Sequence, residues 1–151
     1  MIIKEAYDLI DGKEVPQLFL YKDYTLTGIH QGTINIMAGH FTLEGRLEGT
    51  LNIQSQQPSK ITGVQAGSVS LISGAKIHVT GAIEGTTTVQ QGAILIIEAG
   101  GKFAGTLSNN GKVIIRGVFG GLQDGNGELV VEGPGYIKQP KIIDGNYFYD
   151  W

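Results

Sequence analysis

The chain has no cysteine among its 151 residues, so neither a disulfide framework nor a thiolate metal site is open to it. With four prolines, most of the backbone keeps its N–H groups for hydrogen-bonded ladders. Charge is sparse, at 17% of residues, and nets to −3 without any Lys/Arg cluster. That balance supplies no basic face for nucleic acid. No run approaches the roughly 18 apolar residues that span a bilayer as a helix. The opening MIIKEAYDLIDGKE carries Lys4, Glu5, Asp8 and Asp11, where a secretory signal needs an unbroken apolar core. A cytoplasmic protein is expected, with peripheral contact at a membrane left open. Disorder is excluded, because 41% of residues are hydrophobic, too many for a chain that cannot bury a core.

What the sequence has in plenty is glycine, 24 residues, about twice the usual share but without the every-third-residue period of collagen. Half of them fall in one motif written six times. Copies of Gly-x-φ-x-Gly-x-φ-x-φ, with φ apolar, or near misses of it, open at Gly28, Gly45, Gly63, Gly81, Gly101 and Gly117. A second element, φ-x-φ, closes each copy at Phe41/Leu43, Ser59/Ile61, Ile77/Val79, Leu95/Ile97, Val113/Ile115 and Leu129/Val131, at spacings of 18, 18, 18, 18 and 16 residues. A fixed period of this length marks a solenoid. Period-2 alternation inside each run marks strands with one buried face. Three apolar clusters per period predict an all-β, single-domain, three-sided parallel β-helix of six to seven coils.

Aligned copies predict three inward ladders. Ile34, Leu51, Val69, Thr87 and Leu107 form one; Ile36, Ile53, Leu71 and Val89 the next; His30, Leu47, Gln65, Ile83, Phe103 and Phe119 the third. The organisation expected is an N-terminal cap or extension at 1–23, the solenoid at 24–133, and an aromatic tail or cap at 134–151. Tyr24-Thr-Leu26 matches the closing element one period early, which places a partial zeroth coil from Leu18. Residues 1–14 read as a short amphipathic helix with Ile3, Tyr7 and Ile10 on one side and Gly12 as its stop. Gln54–Ser59 lacks an expected apolar residue and predicts a bulged or loosely packed side. Two extra residues at Glu98–Gly101 predict a widened corner, and Gly120–Gly127 a turn-rich, mobile edge. After Gly133-Pro-Gly135 the pattern ends.

No catalytic, cofactor or metal site emerges. His30 falls on an inward ladder, while His40 and His78 lie on different copies and do not align. Gln65 is a buried polar residue that needs partners. Outward carboxylates recur at Glu44, Glu48, Glu84, Glu98, Glu128 and Glu132 without a nucleophile or base beside them. Two surfaces remain as binding candidates. One is a flat array of short polar side chains, Thr33/Asn35, Thr50/Asn52, Ser68/Ser70, Thr86/Thr88 and Thr106/Ser108, which also serves a purely structural purpose as stacked ladders and is similar to the faces of solenoid ice-binding proteins. The other is the tail, with Tyr147, Phe148, Tyr149 and Trp151 either capping the last coil or contacting a partner protein.

The recurrent Gly-x-φ-x-Gly, the pentapeptides Gly-Ala-Ile-Glu-Gly (81–85) and Gly-Arg-Leu-Glu-Gly (45–49), and six periods of about 18 residues resemble the bactofilin family of bacterial cytoskeletal proteins over residues 24–133. The resemblance implies a right-handed β-helix that polymerises end to end, without nucleotide, into filaments or membrane-associated scaffolds. The ends depart from that family, whose core is flanked by disordered tails. Ends folded over the terminal coils would block stacking; the function that the resemblance itself implies is a non-catalytic scaffold that self-associates through its ends. The alternative is a capped solenoid that binds another protein, as a bacterial toxin immunity protein does. An enzyme would resemble the hexapeptide acyltransferases, but their strict six-residue signature is missing here.

Overall fold

Short alternating runs between glycine corners give each run room for a strand of two to four residues. The computed structural model describes residues 7–149, and every helix or strand element within them is a strand. A hairpin of β1 (Tyr7–Ile10) and β2 (Lys13–Pro16) comes first. Triplets follow, one strand to each limb of a coil. The first is β3 (Leu18–Leu20), β4 (Tyr24–Leu26) and β5 (Ile29–His30), then β6 (Ile34–Ile36), β7 (Phe41–Leu43) and β8 (Arg46–Leu47). Next come β9 (Leu51–Ile53), β10 (Ser59–Ile61) and β11 (Val64–Gln65), then β12 (Val69–Leu71), β13 (Lys76–Val79) and β14 (Ala82–Ile83). In the last coils β15 (Thr86–Val89) and β16 (Ile94–Ile97) lead into β17 (Lys102–Asn109), which runs through a corner to serve the third limb and then the first. After β18 (Lys112–Ile115), β19 (Val118–Asp124) does the same, and β20 (Glu128–Val131) and β21 (Tyr136–Ile137) complete the stack. A hairpin of β22 (Lys141–Ile143) and β23 (Asn146–Phe148) follows.

The coils stack in parallel register. The second limb is a seven-stranded sheet from β4 to β20, and the first and third limbs share a twelve-stranded sheet because β17 and β19 belong to both. Each limb therefore has seven rungs: the stack begins on the first limb with β3 and ends on the third with β21. Ile34, Leu51, Val69, Thr87 and Leu107 pair in one column, as do Leu43, Ile61, Val79, Ile97 and Ile115 in another. These columns form a single core in which most side chains are wholly enclosed. Burying each such Leu or Ile contributes roughly 1.5–3 kcal/mol, and stacking is what makes the burial complete.

Several expectations are corrected. Residues 7–16 form a hairpin rather than a helix, and Ile3 lies outside the described residues. The cause is Asp11-Gly12, both at positive φ (50° and 77°), the backbone of the tight turn that Asp-Gly favours between antiparallel strands. Asp144-Gly145 (φ 51° and 79°) makes the same turn in the C-terminal hairpin. Gln54–Ser59 does not bulge its limb, since β10 holds register with β7 and β13 and Ser59 is buried opposite Ile77. Ser55 stiffens that corner by donating its hydroxyl to Gly39 O at 2.7 Å and accepting from Gln57 N–H at 3.1 Å. Gly120–Asp124 is part of a strand and not a turn-rich edge, because β19 follows β17 residue for residue from Val118 to Asp124. The pattern also does not end at Gly135: β21 adds another rung over Val118 and Phe119. The widened corner is present. Register steps by 18 from Ile77 to Leu95 but by 20 from Ala82 to Lys102, which places the two extra residues between Ile97 and Lys102.

Candidate functional site

Both binding candidates from the sequence lead to the ends of the solenoid. In the polar array, Thr33 and Asn35 are not exposed; the N-terminal hairpin buries them. Asp8 accepts the Thr33 N–H, and the Thr33 hydroxyl donates to the other Asp8 oxygen at 2.8 Å. Gln17 donates to Asp8 at 3.3 Å and accepts from Asn35 at 3.1 Å. Asn52 then donates to Asn35 at 2.9 Å. This amide ladder fastens the hairpin to two coils.

The rest of the array is corrected as well, because it is not an evenly open flat face. Ser68, Thr86 and Thr106 are exposed, and Thr50 is half-buried. The second column, Asn52, Ser70, Thr88 and Ser108, is half-buried throughout rather than exposed. Its residues stand directly over one another: Ser70 lies between Asn52 and Thr88, Thr88 between Ser70 and Ser108, and Ser108 between Thr88 and Asp124. At a rung spacing of about 4.8 Å, side chains this short are shaded by the rungs above and below. Ser70, Thr88 and Ser108 are thus members of a structural ladder, and one open column remains where two were expected.

The aromatic tail is divided. Tyr149 donates its hydroxyl to Gly121 O at 3.0 Å and is half-buried, whereas Phe148 is exposed. The Tyr147 side chain and Trp151 lie outside the described residues. Asp8 and Gln17 carry no alternating or periodic signal. The Asp-Gly turn was the cue that could have located the hairpin holding Asp8.

Inside the stack a buried amide closes another corner. Gln65 donates to Gly49 O at 3.0 Å and to Ser68 O at 3.3 Å, which satisfies its amide nitrogen, while its Oε1 is buried without a partner among the described residues. His30 pairs in register with Leu47 and is half-buried, as an end rung must be.

The second limb carries a charged strip on its outer face. Glu98 binds Arg116 at 2.8 Å and faces His78 Nδ1 at 3.4 Å, and Arg116 reaches Glu132 at 3.0 Å. Partial burial opposes ionisation of Glu98, but hydrogen bonds from Arg116 and His78, with their charges, outweigh it and hold the carboxyl below its usual value. Hydrogen bonds to Glu132 and Glu98 push Arg116 further up. Arg46, then Gln31, likewise lower Glu48. A shallow groove of about 420 Å³ beside this strip is lined by Lys60, Thr62, His78, Thr80 and Glu98. With Arg116 holding both Glu98 and Glu132, the arrangement fixes ion pairs across three coils. Among the described residues no three His, Asp or Glu side chains gather as metal ligands would, and no helix is long and apolar enough to cross a membrane.

The ends themselves have the most distinctive surface. Every large exposed hydrophobic side chain among the described residues lies at or beyond a terminal coil. Leu9, Phe19, Tyr21, Tyr24 and Ile29 stand at one end; Leu122, Val131, Tyr136, Ile137, Ile142, Ile143 and Phe148 stand at the other. None lies between His30 and Gly121. Among the described residues the terminal rungs are paired on one side, β3, β4 and β5 with β6, β7 and β8, and β20 and β21 with β18 and β19. Compared with protein-family models, with curated proteins and with solved structures, the chain matches none.

Proposed function

We propose that this chain is a non-catalytic structural protein that self-associates through the ends of its solenoid, as the bactofilin resemblance implies. The observation that carries this reading is that, among the described residues, exposed large apolar side chains are confined to the two ends, where the strands are paired on one side only. Unpaired edges are templates for another chain unless they are blocked, and apolar surface concentrated in one place marks an interaction site. The sides of the stack, with their small polar residues and ion-paired strip, favour water. A cytoplasmic scaffold fits the sequence.

The test is the size distribution of the intact protein, by light scattering and negative-stain microscopy. Assemblies that lengthen with concentration support the reading; a monomer at every concentration overturns it. A second reading draws on the two hairpins, which close one corner at each end and suit a capped module that binds a different protein, such as a toxin. Under that reading the chain stays monomeric and the exposed tail residue Phe148 contacts the partner.

A further inference from the structure

We propose that the outer face of the second limb holds a binding site for a tetrahedral oxyanion, a phosphate or sulfate group, centred on Lys60 between His40 and His78. Beside the groove at Glu98 lies a second cavity of about 290 Å³, lined by His40, Thr42, Pro58, Lys60 and His78. The two share Lys60 and His78. Every ionisable side chain lining the second cavity is a nitrogen base, in a chain whose acids outnumber its lysines and arginines by 14 to 11. The site is on the side of the stack, so its ligand is independent of whether the ends associate.

The parallel register brings these groups together. Lys60 pairs with Thr42 on one neighbouring rung and with His78 on the other, so each lies about 4.8 Å away along the stack. His40 stands two residues before Thr42, on the same outward face. Among the described residues no carboxylate pairs with Lys60. Lys60 is exposed, and its ammonium has three donors to offer a ligand.

Both imidazoles are held the same way round. His40 Nδ1 lies 2.8 Å from Pro58 O, and His78 Nδ1 lies 3.4 Å from a Glu98 oxygen. A carbonyl and a carboxylate only accept, so in each ring Nδ1 carries the proton and Nε2 is left for a ligand. In neutral rings both Nε2 atoms present lone pairs, which repel an anion; in imidazolium rings both donate. Histidine is the side chain that changes charge between about pH 5 and 8, so an oxyanion is bound more tightly toward the acid end of that range. The charged groups around the two rings are Lys60 between them, Asp23 at the His40 N–H, Lys76 on the same strand as His78, and Glu98 with Arg116 beyond it. Arg116 holds Glu98, which does not line the cavity that takes the anion. The donors come from two outward columns and three rungs, so they line that cavity on more than one side. Phosphate and sulfate present oxygens in every direction, whereas a carboxylate presents one edge.

Sulfate is the probe, because its charge is constant across that pH range. Added to the full chain at fixed ionic strength in place of chloride, it shifts the ring resonances of His40 and His78 in a saturable titration and leaves those of His30 in place. It binds more tightly at about pH 6 than at about pH 8. Lys60→Met weakens binding about tenfold, the loss of one charge-assisted contact, and Lys60→Arg retains it. His40→Gln, on the other side of the cavity, also weakens binding and flattens the pH dependence. Inorganic phosphate competes for the same shifts and acetate does not. Circular dichroism confirms that each variant folds. Equal shifts with chloride alone, or a sulfate titration that Lys60→Met leaves unchanged, overturn the site. Equal affinity at the two pH values removes the histidines from it and overturns the arrangement, and acetate that competes as well as phosphate overturns the tetrahedral ligand.

Discussion

Asp8 and Tyr149 close the same corner of the solenoid from opposite ends. Within the stack the backbone bridges this corner where the Thr106 N–H donates to Gly85 O at 3.2 Å, and the Gln65 side chain reaches it at Gly49 O. Thr33 is the counterpart of Thr106 four coils upstream, and Gly121 the counterpart of Gly85 two coils downstream. At the first end no corner carbonyl reaches Thr33, because Pro16, which stands at that position, is paired with Tyr7 in the hairpin. Asp8 supplies the acceptor instead. At the far end Gly121 O receives the Tyr149 hydroxyl. Side chains thus replace the backbone groups of a coil that is not there. The Asp8 carboxylate accepts three hydrogen bonds, so the first closure is the firmer of the two.

Asp8→Ala is expected to free the N-terminal hairpin and expose the Thr33 amide. Leaving a buried N–H without a partner costs roughly 1–3 kcal/mol. Hydrogen exchange at Thr33 reads this directly, with Asp8→Asn as the variant that keeps an acceptor and most of the protection. Equal Thr33 exchange rates in wild type and Asp8→Ala would show that the contact carries no stability. Tyr149→Phe, which loses one bond, should act in the same direction but less.

The corner glycines divide into two kinds, and substitution separates them. A Cβ at Gly67 would overlap the Gly49 carbonyl of the coil below, whereas a Cβ at Gly100 meets nothing within 4 Å. Gly100 has φ +87°, so Ala there costs about 1–2 kcal/mol of backbone strain. Gly67→Ala forces two coils apart and should cost several times as much. Denaturant unfolding of both variants checks the order; comparable losses would mean that coil spacing is not what fixes these glycines.

Thr87 offers a gain. It stands on an inward column between Val69 and Leu107, fully enclosed, with its hydroxyl unpartnered. Thr87→Val keeps the shape and removes a buried polar group that has no hydrogen bond, which should stabilise the fold by about 1–2 kcal/mol. A fall in melting temperature would mean that the hydroxyl has a partner after all.

The interior was legible in the sequence because burial leaves a period there. Leu43, Ile61, Val79 and Ile97 are spaced by the coil itself and stand in register on successive rungs. The ends were harder for the same reason. Tyr7 and Ile10 are spaced as well for a helix as for a hairpin, and only Asp11-Gly12 separates the two. Alternation correctly turned Thr33 and Asn35 outward, but it contains nothing about what lies over an outward residue, so their burial under Asp8 and Gln17 was not foreseen. The same gap applies to Ser70, Thr88 and Ser108, which point outward yet are half covered by one another. Gly120 and Gly121 look like a loop in isolation; opposite Ala104 and Gly105 they extend a ladder. The closure by Asp8 joins residues 25 apart in sequence, outside any repeat.

Acid should weaken the strip on the second limb. The Glu98 carboxyl is lowered in the fold, so the stability it contributes is complete above the usual carboxylate value and is lost as pH falls through the lowered one. The groups that face it are His78 and Arg116, with Glu132 on the far side of Arg116. Because Glu98 is partly exposed the effect is small, a shift of a few degrees at most. Glu98→Gln should melt below wild type near neutral pH and converge with it in acid. Parallel curves across the whole range would assign the pH dependence to other carboxylates.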